Sequence, residues 1–332
     1  MQRREFLSTT AGLAMVAAFG AGRMAQAQGT VDVGFSVPDT TNPFLGWLTT
    51  TVRDMAAEKG VTVEIADAAG SPVKQMEQIE NFIAMGVKVI DIMPVDPNNV
   101  QDIIARAQAQ GIKVLVQGTD TGVYDTMMNI DQYNCGEQIA EMAIDWMVKT
   151  FSSDGTEAGL PTGADAPKVV MIPATDTVDA AKRSQGAIDK MTAWGRAQLV
   201  VSPTEARSTA QGTSVMETLW LQNPDTDAVM TYNADTAMGV NEYMMGQGGL
   251  ERSRFGVFSG DWSPPIQETI DMSARDESLF RGTIQIVGPN LNGEQVDLPD
   301  ATLRVMMALM EGQTPYGTWI KDTITKAGPK TE

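Results

Sequence analysis

From Val31 onward the chain alternates short apolar runs with amphipathic stretches of helical period, and no other feature limits its fold as tightly. The runs at residues 31–37, 61–66, 88–93 and 112–117 have strand length, and helical periodicity or a polar loop follows each. Strands joined through helices lie parallel, because a long crossover returns the chain to the edge it left. The same rhythm restarts at 168–172, continues through 198–202, 228–232 and 254–259, and closes at 282–287. At 332 residues the chain also exceeds the length at which one hydrophobic core usually stops growing. The pattern therefore predicts an α/β protein of two similar lobes with parallel sheets.

Three stretches need separate treatment. Residues 152–167, rich in Gly, Ser, Thr, Ala and Asp, have the composition of a linker but follow a helix of the second half. They are read as a surface excursion, with the crossover between halves at 129–133. Residues 298–312 have helical spacing with a Met-rich apolar face, a pattern that marks core. Residues 318–325 are expected to form a final strand.

Composition removes whole classes of function. The formal charge is −18, and without residues 1–27, which hold three arginines and one glutamate, it becomes −20 (21 basic against 41 acidic). Such a surface repels nucleic acid and anionic lipid, and the basic residues form no run that would track phosphates. There is no histidine, which excludes Ser-His-Asp and Cys-His triads, H-E-x-x-H zinc sites and any imidazole base. One cysteine, Cys135, allows no internal disulfide and no C-x-x-C pair. The chain is read as a binding protein and not an enzyme, with no cofactor and no metal. Carboxylates at strand ends, Asp39, Asp67 and Asp96, keep a glycosidase-like acid–base pair open as the outside alternative.

Residues 1–27 read as an address. Twin arginines, Arg3-Arg4, precede Phe6-Leu7, a modestly apolar stretch runs over 11–20, and Ala25-Gln26-Ala27 offers a small-residue cleavage site. The order resembles a bacterial twin-arginine export signal cleaved after Ala27, with the mature protein in the periplasm. No later apolar run reaches the length of a membrane span, so stable membrane insertion is not expected.

In open parallel sheets, ligands bind beyond the carboxyl ends of the strands. The polar residues expected there are 39–42, Asp67, Asp96, 117–121, 175–179, 233–235 and 261–263. Asn42-Pro43 has the form of a helix N-cap followed by proline at the first helical position. Asn42 could equally hydrogen-bond hydroxyls while Phe44 stacks on the C–H face of a sugar. Arg183 has a solvated helix or an ion pair with Asp179 as its plain reading, and Asn233 a helix cap. Asp261 could simply begin the next helix, which leaves the adjacent Trp262 unexplained.

Here a resemblance becomes specific. Thr41-Asn42-Pro43-Phe44-Leu45, then Met76-Glu77-Gln78-Ile79 before Gly86-Val87-Lys88-Val89-Ile90 and Pro94-Val95-Asp96, is similar to the ribose-binding group of periplasmic sugar-binding proteins. Ala180-Ala181-Lys182-Arg183-Ser184-Gln185-Gly186 and Tyr232-Asn233-Ala234-Asp235-Thr236-Ala237-Met238-Gly239 follow in the same order. The resemblance implies two Rossmann-like lobes with parallel sheets, joined by a three-segment hinge, with the ligand cleft between them. It assigns 30–131 plus 287–317 to the first lobe and 132–286 plus 318–332 to the second. It implies that Asn42 and Phe44 bind from one lobe, and Arg183, Asn233 and Asp261 from the other. It further implies delivery of a small carbohydrate or polyol to the transmembrane subunits of an ABC importer. The alternative of the same fold is a sensory module presenting its closed form to a membrane kinase or chemoreceptor.

Departures from the family pattern bear on the ligand. Where ribose binders carry an Asp-Arg pair after the fourth strand, this chain reads Gln117-Gly118-Thr119-Asp120-Thr121, so Asp120 is the candidate by proximity. Leu45 replaces the second aromatic of the family, for which Trp262 and Trp47 are candidate substitutes. Gln285 is the expected amide near the third crossing, and Asp39 joins the set from the first strand end. A sugar, polyol or modified furanose other than ribose is the expected ligand.

Overall fold

The computed structural model describes residues 31–330, so the expected export segment, residues 1–27, lies outside the described residues. The first lobe opens with β1 (Val33–Val37), α1 (Pro43–Glu58), β2 (Val63–Asp67), α2 (Pro72–Met85), β3 (Val89–Ile92), α3 (Gln101–Ala109) and β4 (Lys113–Gln117). β5 (Thr126–Asn129) then follows without an intervening helix. Four residues with polar ends carry no periodicity, and nothing in the sequence pattern announces this strand.

The alternation resumes in the second lobe with α4 (Gln132–Phe151), β6 (Lys168–Ile172), α5 (Val178–Trp194), β7 (Gln198–Val201), α6 (Thr209–Gln222) and β8 (Ala228–Thr231). It continues through α7 (Ala234–Met245), β9 (Gly256–Ser259), α8 (Pro264–Met272) and β10 (Phe280–Gly288). The chain then returns through a short hairpin, β11 (Asn290–Leu291) and β12 (Glu294–Gln295), to α9 (Leu298–Met310), β13 (Trp319–Lys321) and β14 (Thr323–Ala327).

Two six-stranded sheets result, in the orders β13-β5-β4-β3-β1-β2 and β14-β10-β9-β8-β6-β7. Every ladder within them is parallel except β10 with β14. Helices cover both faces, so the inner strands β1, β3, β8 and β9 are buried along their whole length, as parallel sheets require. In the first lobe Val33, Phe35 and Val89 pack under α1 and α9, while Ile90, Ile92 and Val114 pack under α2 and α3. The Met-rich face of residues 298–312 is core, with Met306 fully buried against α1.

Residues 318–325 do not form one strand. Trp319–Lys321 pairs with β5 in the first sheet, and Thr323–Ala327 turns antiparallel onto β10 in the second. The expected lobe border before residue 318 therefore moves to Asp322, whose backbone N–H donates to the Asn129 carbonyl at 2.9 Å. Each sheet offers an open edge at this point, and one extended segment satisfies both. The connections near Asn129, Gly288 and Asp322 run side by side. The Gln295 amide donates to the Gly288 carbonyl at 2.8 Å and to Thr323 Oγ1 at 3.0 Å.

Among the described residues, six of the nine α-helices start on a side chain that accepts a backbone N–H: Asn42, Ser71, Asp131, Thr177, Ser208 and Asn233. Most of these caps stand just beyond strand ends, so polar side chains and helix N-termini gather where the lobes face each other. One close approach fixes the most important of these helices. A Cβ on Gly136 of α4 would collide with the Arg183 carbonyl, and one on Gly186 of α5 with the Tyr133 carbonyl. The two glycines let α4 and α5 touch backbone to backbone, which seats Arg183 beside the first crossing.

Candidate functional site

Arg183 is the centre of the site. It lies on the second turn of α5 and is only 4% exposed. Its Nε donates to Gln132 Oε1 at 2.9 Å, and its Nη1 to the Tyr232 carbonyl at 3.2 Å and to Asp261 Oδ1 at 2.9 Å. The guanidinium carbon also stands 4.7 Å from the centroid of the Tyr232 ring. Burial is the largest influence and works against the charge, but Asp261 first, then Cys135 and Tyr232, together outweigh it and hold Arg183 above the ordinary arginine range. Gly260 supplies the room, because a Cβ there would stand 2.7 Å from Nη1.

Asp261 adopts φ 72°, a left-handed conformation that Asp tolerates better than most residues but that still costs energy. The turn directs one carboxylate oxygen to Arg183. Among the described residues, Asp261 Oδ2 and Arg183 Nη2 have no protein partner. An acceptor and a donor on two ion-paired residues are thus left uncommitted, the kind of pair that hydroxyls would satisfy.

The network continues to the hinge. Gln132 Nε2 donates to Asn129 Oδ1 at 3.0 Å, and Asn129 Nδ2 donates to Asp179 Oδ2 at 2.9 Å. Arg183 is therefore tied through one glutamine to the crossing between lobes. Asp179 is occupied by Asn129 and, at 3.7 Å, by Lys182, and it makes no ion pair with Arg183.

From the first lobe, Asn42 caps α1 through its Oδ1, which accepts from the Leu45 N–H at 2.9 Å. Its amide nitrogen reaches across and donates to Asp235 Oδ2 on α7. The cap reading of Asn42 is thus met by its oxygen, while its amide nitrogen is engaged by the opposite lobe. Asp235 is pushed up to about 7, first by burial, then by Asp261 and Asp39. Asp39 itself accepts from the Thr41 N–H at 2.8 Å and from the Thr41 hydroxyl at 2.7 Å.

An aromatic chain borders this cluster. Phe44 stands 6.1 Å from Trp47, and Trp47 meets Trp262 of the opposite lobe edge-on at 5.5 Å. Trp262 hangs on the hinge strand, its backbone N–H donating to the Ile284 carbonyl at 3.0 Å. Gln285, Trp47 and Trp262 line a cavity of about 210 Å³.

Two candidates stand apart. Asn233 spends both ends of its amide in its own lobe: Oδ1 caps the Thr236 N–H at 3.1 Å and Nδ2 donates to the Arg207 carbonyl at 2.9 Å. Asp120 is exposed and accepts from the Gly122 N–H at 2.7 Å, with no contact to the cluster among the described residues. Gly118, at φ 80°, turns the loop outward before it. Gln117 points into the core, donating to the buried Asp91 carboxyl at 2.5 Å, which burial holds well above the usual carboxylate range.

Gln132, Tyr232 and Asn129 join the cluster without having been expected as binding residues, and Asp235, expected only as part of the strand-end stretch 233–235, joins it as well. Asp235 stands two residues past Asn233 in the first turn of α7. Gln132 carried no signal, because its role depends on α5 lying against α4. Among the described residues there is no cluster of three His, Cys, Asp or Glu suited to a metal ion, and no helix long and apolar enough to cross a membrane.

A family model for the periplasmic binding protein domain matches residues 33–314. A ribose import binding protein of Bacillus subtilis is 26% identical over 218 residues, 65% of this chain and 66% of its own length. An ABC transporter solute-binding protein of Mycobacterium smegmatis with bound glycerol superposes with a TM-score of 0.70 at 22% identity, covering 90% of this chain and 94% of its own. A periplasmic solute-binding protein of Actinobacillus succinogenes with bound D-allose gives a TM-score of 0.73 at 14% identity, over 89% and 96% of the two chains.

Proposed function

The chain belongs to the periplasmic binding protein domain family, and we propose that it captures a small neutral sugar or polyol between its lobes and hands it to an ABC importer. One observation carries the choice of ligand: the free Nη2 of Arg183 and the free Oδ2 of Asp261, both held in a buried network. A guanidinium donor next to a carboxylate acceptor matches neighbouring hydroxyls, and charge-assisted bonds of this kind contribute roughly 1.5–3 kcal/mol each.

Asn42 and Asp39 approach from the first lobe, Asp235 and Arg183 from the second, and Phe44 offers a ring to a sugar's C–H face. Gln285 and Trp262 lie at the hinge end, and Asn233 acts by fixing α7 and Arg207. Asp120 is the weakest member of the set and is proposed only as a rim residue. The relatives named for ribose import, or holding glycerol or D-allose, favour the same ligand class.

The protein works by binding alone and catalyses no reaction. It acts outside the cytoplasm, after removal of residues 1–27. Thermal melting against a broad sugar and polyol library tests the reading. A true ligand at a hundredfold over its dissociation constant adds about 2.7 kcal/mol of stability, and a library without any stabilising member refutes it.

A further inference from the structure

We infer that the site has a second chamber, the Trp47–Trp262 cavity, which takes a small uncharged alkyl or thioalkyl substituent carried by the ligand. The inference rests on the sugar or polyol reading for the polar half of the ligand. The cavity of about 210 Å³ draws on four elements from both lobes. α1 contributes Trp47, Thr51 and Met55, which share one helix face at i, i+4 and i+8. Trp262 comes from the turn before α8, Gln285 and Ile286 from the hinge strand β10, and residues 297–300 from the first turn of α9.

Its position links it to the polar cluster. Trp262 directly follows Asp261, and Trp47 stands next to Phe44 on α1. Trp262 and Gln285 thus belong both to the candidate binding set and to the wall of this cavity. The volume lies below the roughly 300–1,000 Å³ of pockets for drug-sized molecules, so a few heavy atoms suffice to fill it.

The chemistry of the walls selects the substituent. Trp47, Met55, Trp262, Ile286, Leu298 and Pro299 are apolar, and no lysine or arginine is among the lining residues. Trp262 commits its indole N–H to Gln267 Oε1 at 2.8 Å, so it presents ring surface and no donor. Asp297 and Asp300 oppose a phosphate or carboxylate, and Asp300 is already paired with Arg304 at 2.7 Å. A thioether beside Trp and Met gains polarizable contacts that a hydroxyl does not.

The test compares matched ligands by calorimetry: D-ribose with 5-methylthio-D-ribose, and D-xylose with its methyl and propyl β-xylosides. Burying about two extra heavy atoms predicts that the best substituted member of a pair binds about tenfold more tightly than its parent. Thr51→Phe, which fills the cavity from α1, removes that gain and leaves the parent sugar's affinity within about twofold. Equal affinity of parents and derivatives, or a gain that survives Thr51→Phe, overturns the proposal. If none of these sugars binds, the sugar reading is at fault, and 2-(methylthio)ethanol then probes the chamber alone. A saturable change in tryptophan fluorescence, lost in Thr51→Phe, supports the chamber; no such change overturns it. Choline producing the same change in preference to 2-(methylthio)ethanol also overturns it, in favour of a cation cage.

Discussion

Arg183 is nearly all buried, and among the described residues its one carboxylate partner is Asp261, at 2.9 Å. Replacing Asp261 by Asn keeps a residue that accepts left-handed φ but strands the guanidinium without a counter-charge. Loss of one partner of a buried pair costs about 3–5 kcal/mol. Asp261→Asn is therefore expected to lower the urea midpoint with unchanged m and to weaken sugar binding at least tenfold in calorimetry. Asp235 gives a pH signature. Its folded value of about 7 lies above the ordinary carboxylate value, so the native state holds the extra proton. The stability it contributes is full below about pH 4 and is lost as pH rises through 7. Asp235→Asn is expected to flatten the fall in melting temperature between pH 5 and 8, and a fall of unchanged steepness would show the assignment to be wrong. At this scale the sequence exposed Asn42, Arg183 and Asp261, because each sits at a helix start or strand end. It did not expose Gln132, whose partner is distant in the chain, nor that Asp120 stands apart from the cluster, because the turn at Gly118 depends on backbone angle.

Among the elements, α4 and α5 are the pair on which the site depends. Their contact at Gly136 and Gly186 leaves no space for a methyl group, so Gly186→Ala must push the helices apart. Overpacking of this kind typically costs 1–3 kcal/mol. The expected result is a melting temperature lower by several degrees together with a loss of ligand affinity, since Arg183 moves away from Gln132. A stability loss with intact affinity would separate helix packing from the site. The alternating elements were legible because strands buried on both faces must be apolar throughout and the connecting helices must carry one polar face. β5 escaped because four residues hold no periodicity. The split of 318–325 into β13 and β14 escaped because one extended run serves two sheets, and only the partners of its backbone reveal the break.

The molecule as a whole turns on the three neighbouring crossings, and Asp322 sits in the third of them. Its side chain is 6% exposed, it makes no ion pair among the described residues, and burial alone pushes its carboxyl up to about 7. The sign matches that of Asp235: the contribution to stability is complete below about pH 4 and disappears as pH rises through 7. Asp322→Asn, which cannot ionise, is expected to be more stable than the parent at pH 8 and to lose that advantage by pH 5, as read by thermal unfolding across the range.

The bond from Asn42 to Asp235 spans the gap between lobes with the protein's own atoms. At the site proposed above, binding would be an exchange reaction, in which an arriving molecule replaces a clasp that the chain already provides. Its affinity measures only the surplus of its own bonds over the one it breaks. A compound with a single well-placed hydroxyl merely trades one bond for another, whereas one with several hydroxyls comes out ahead, so the clasp acts as a threshold that rejects solutes too small to outbid it.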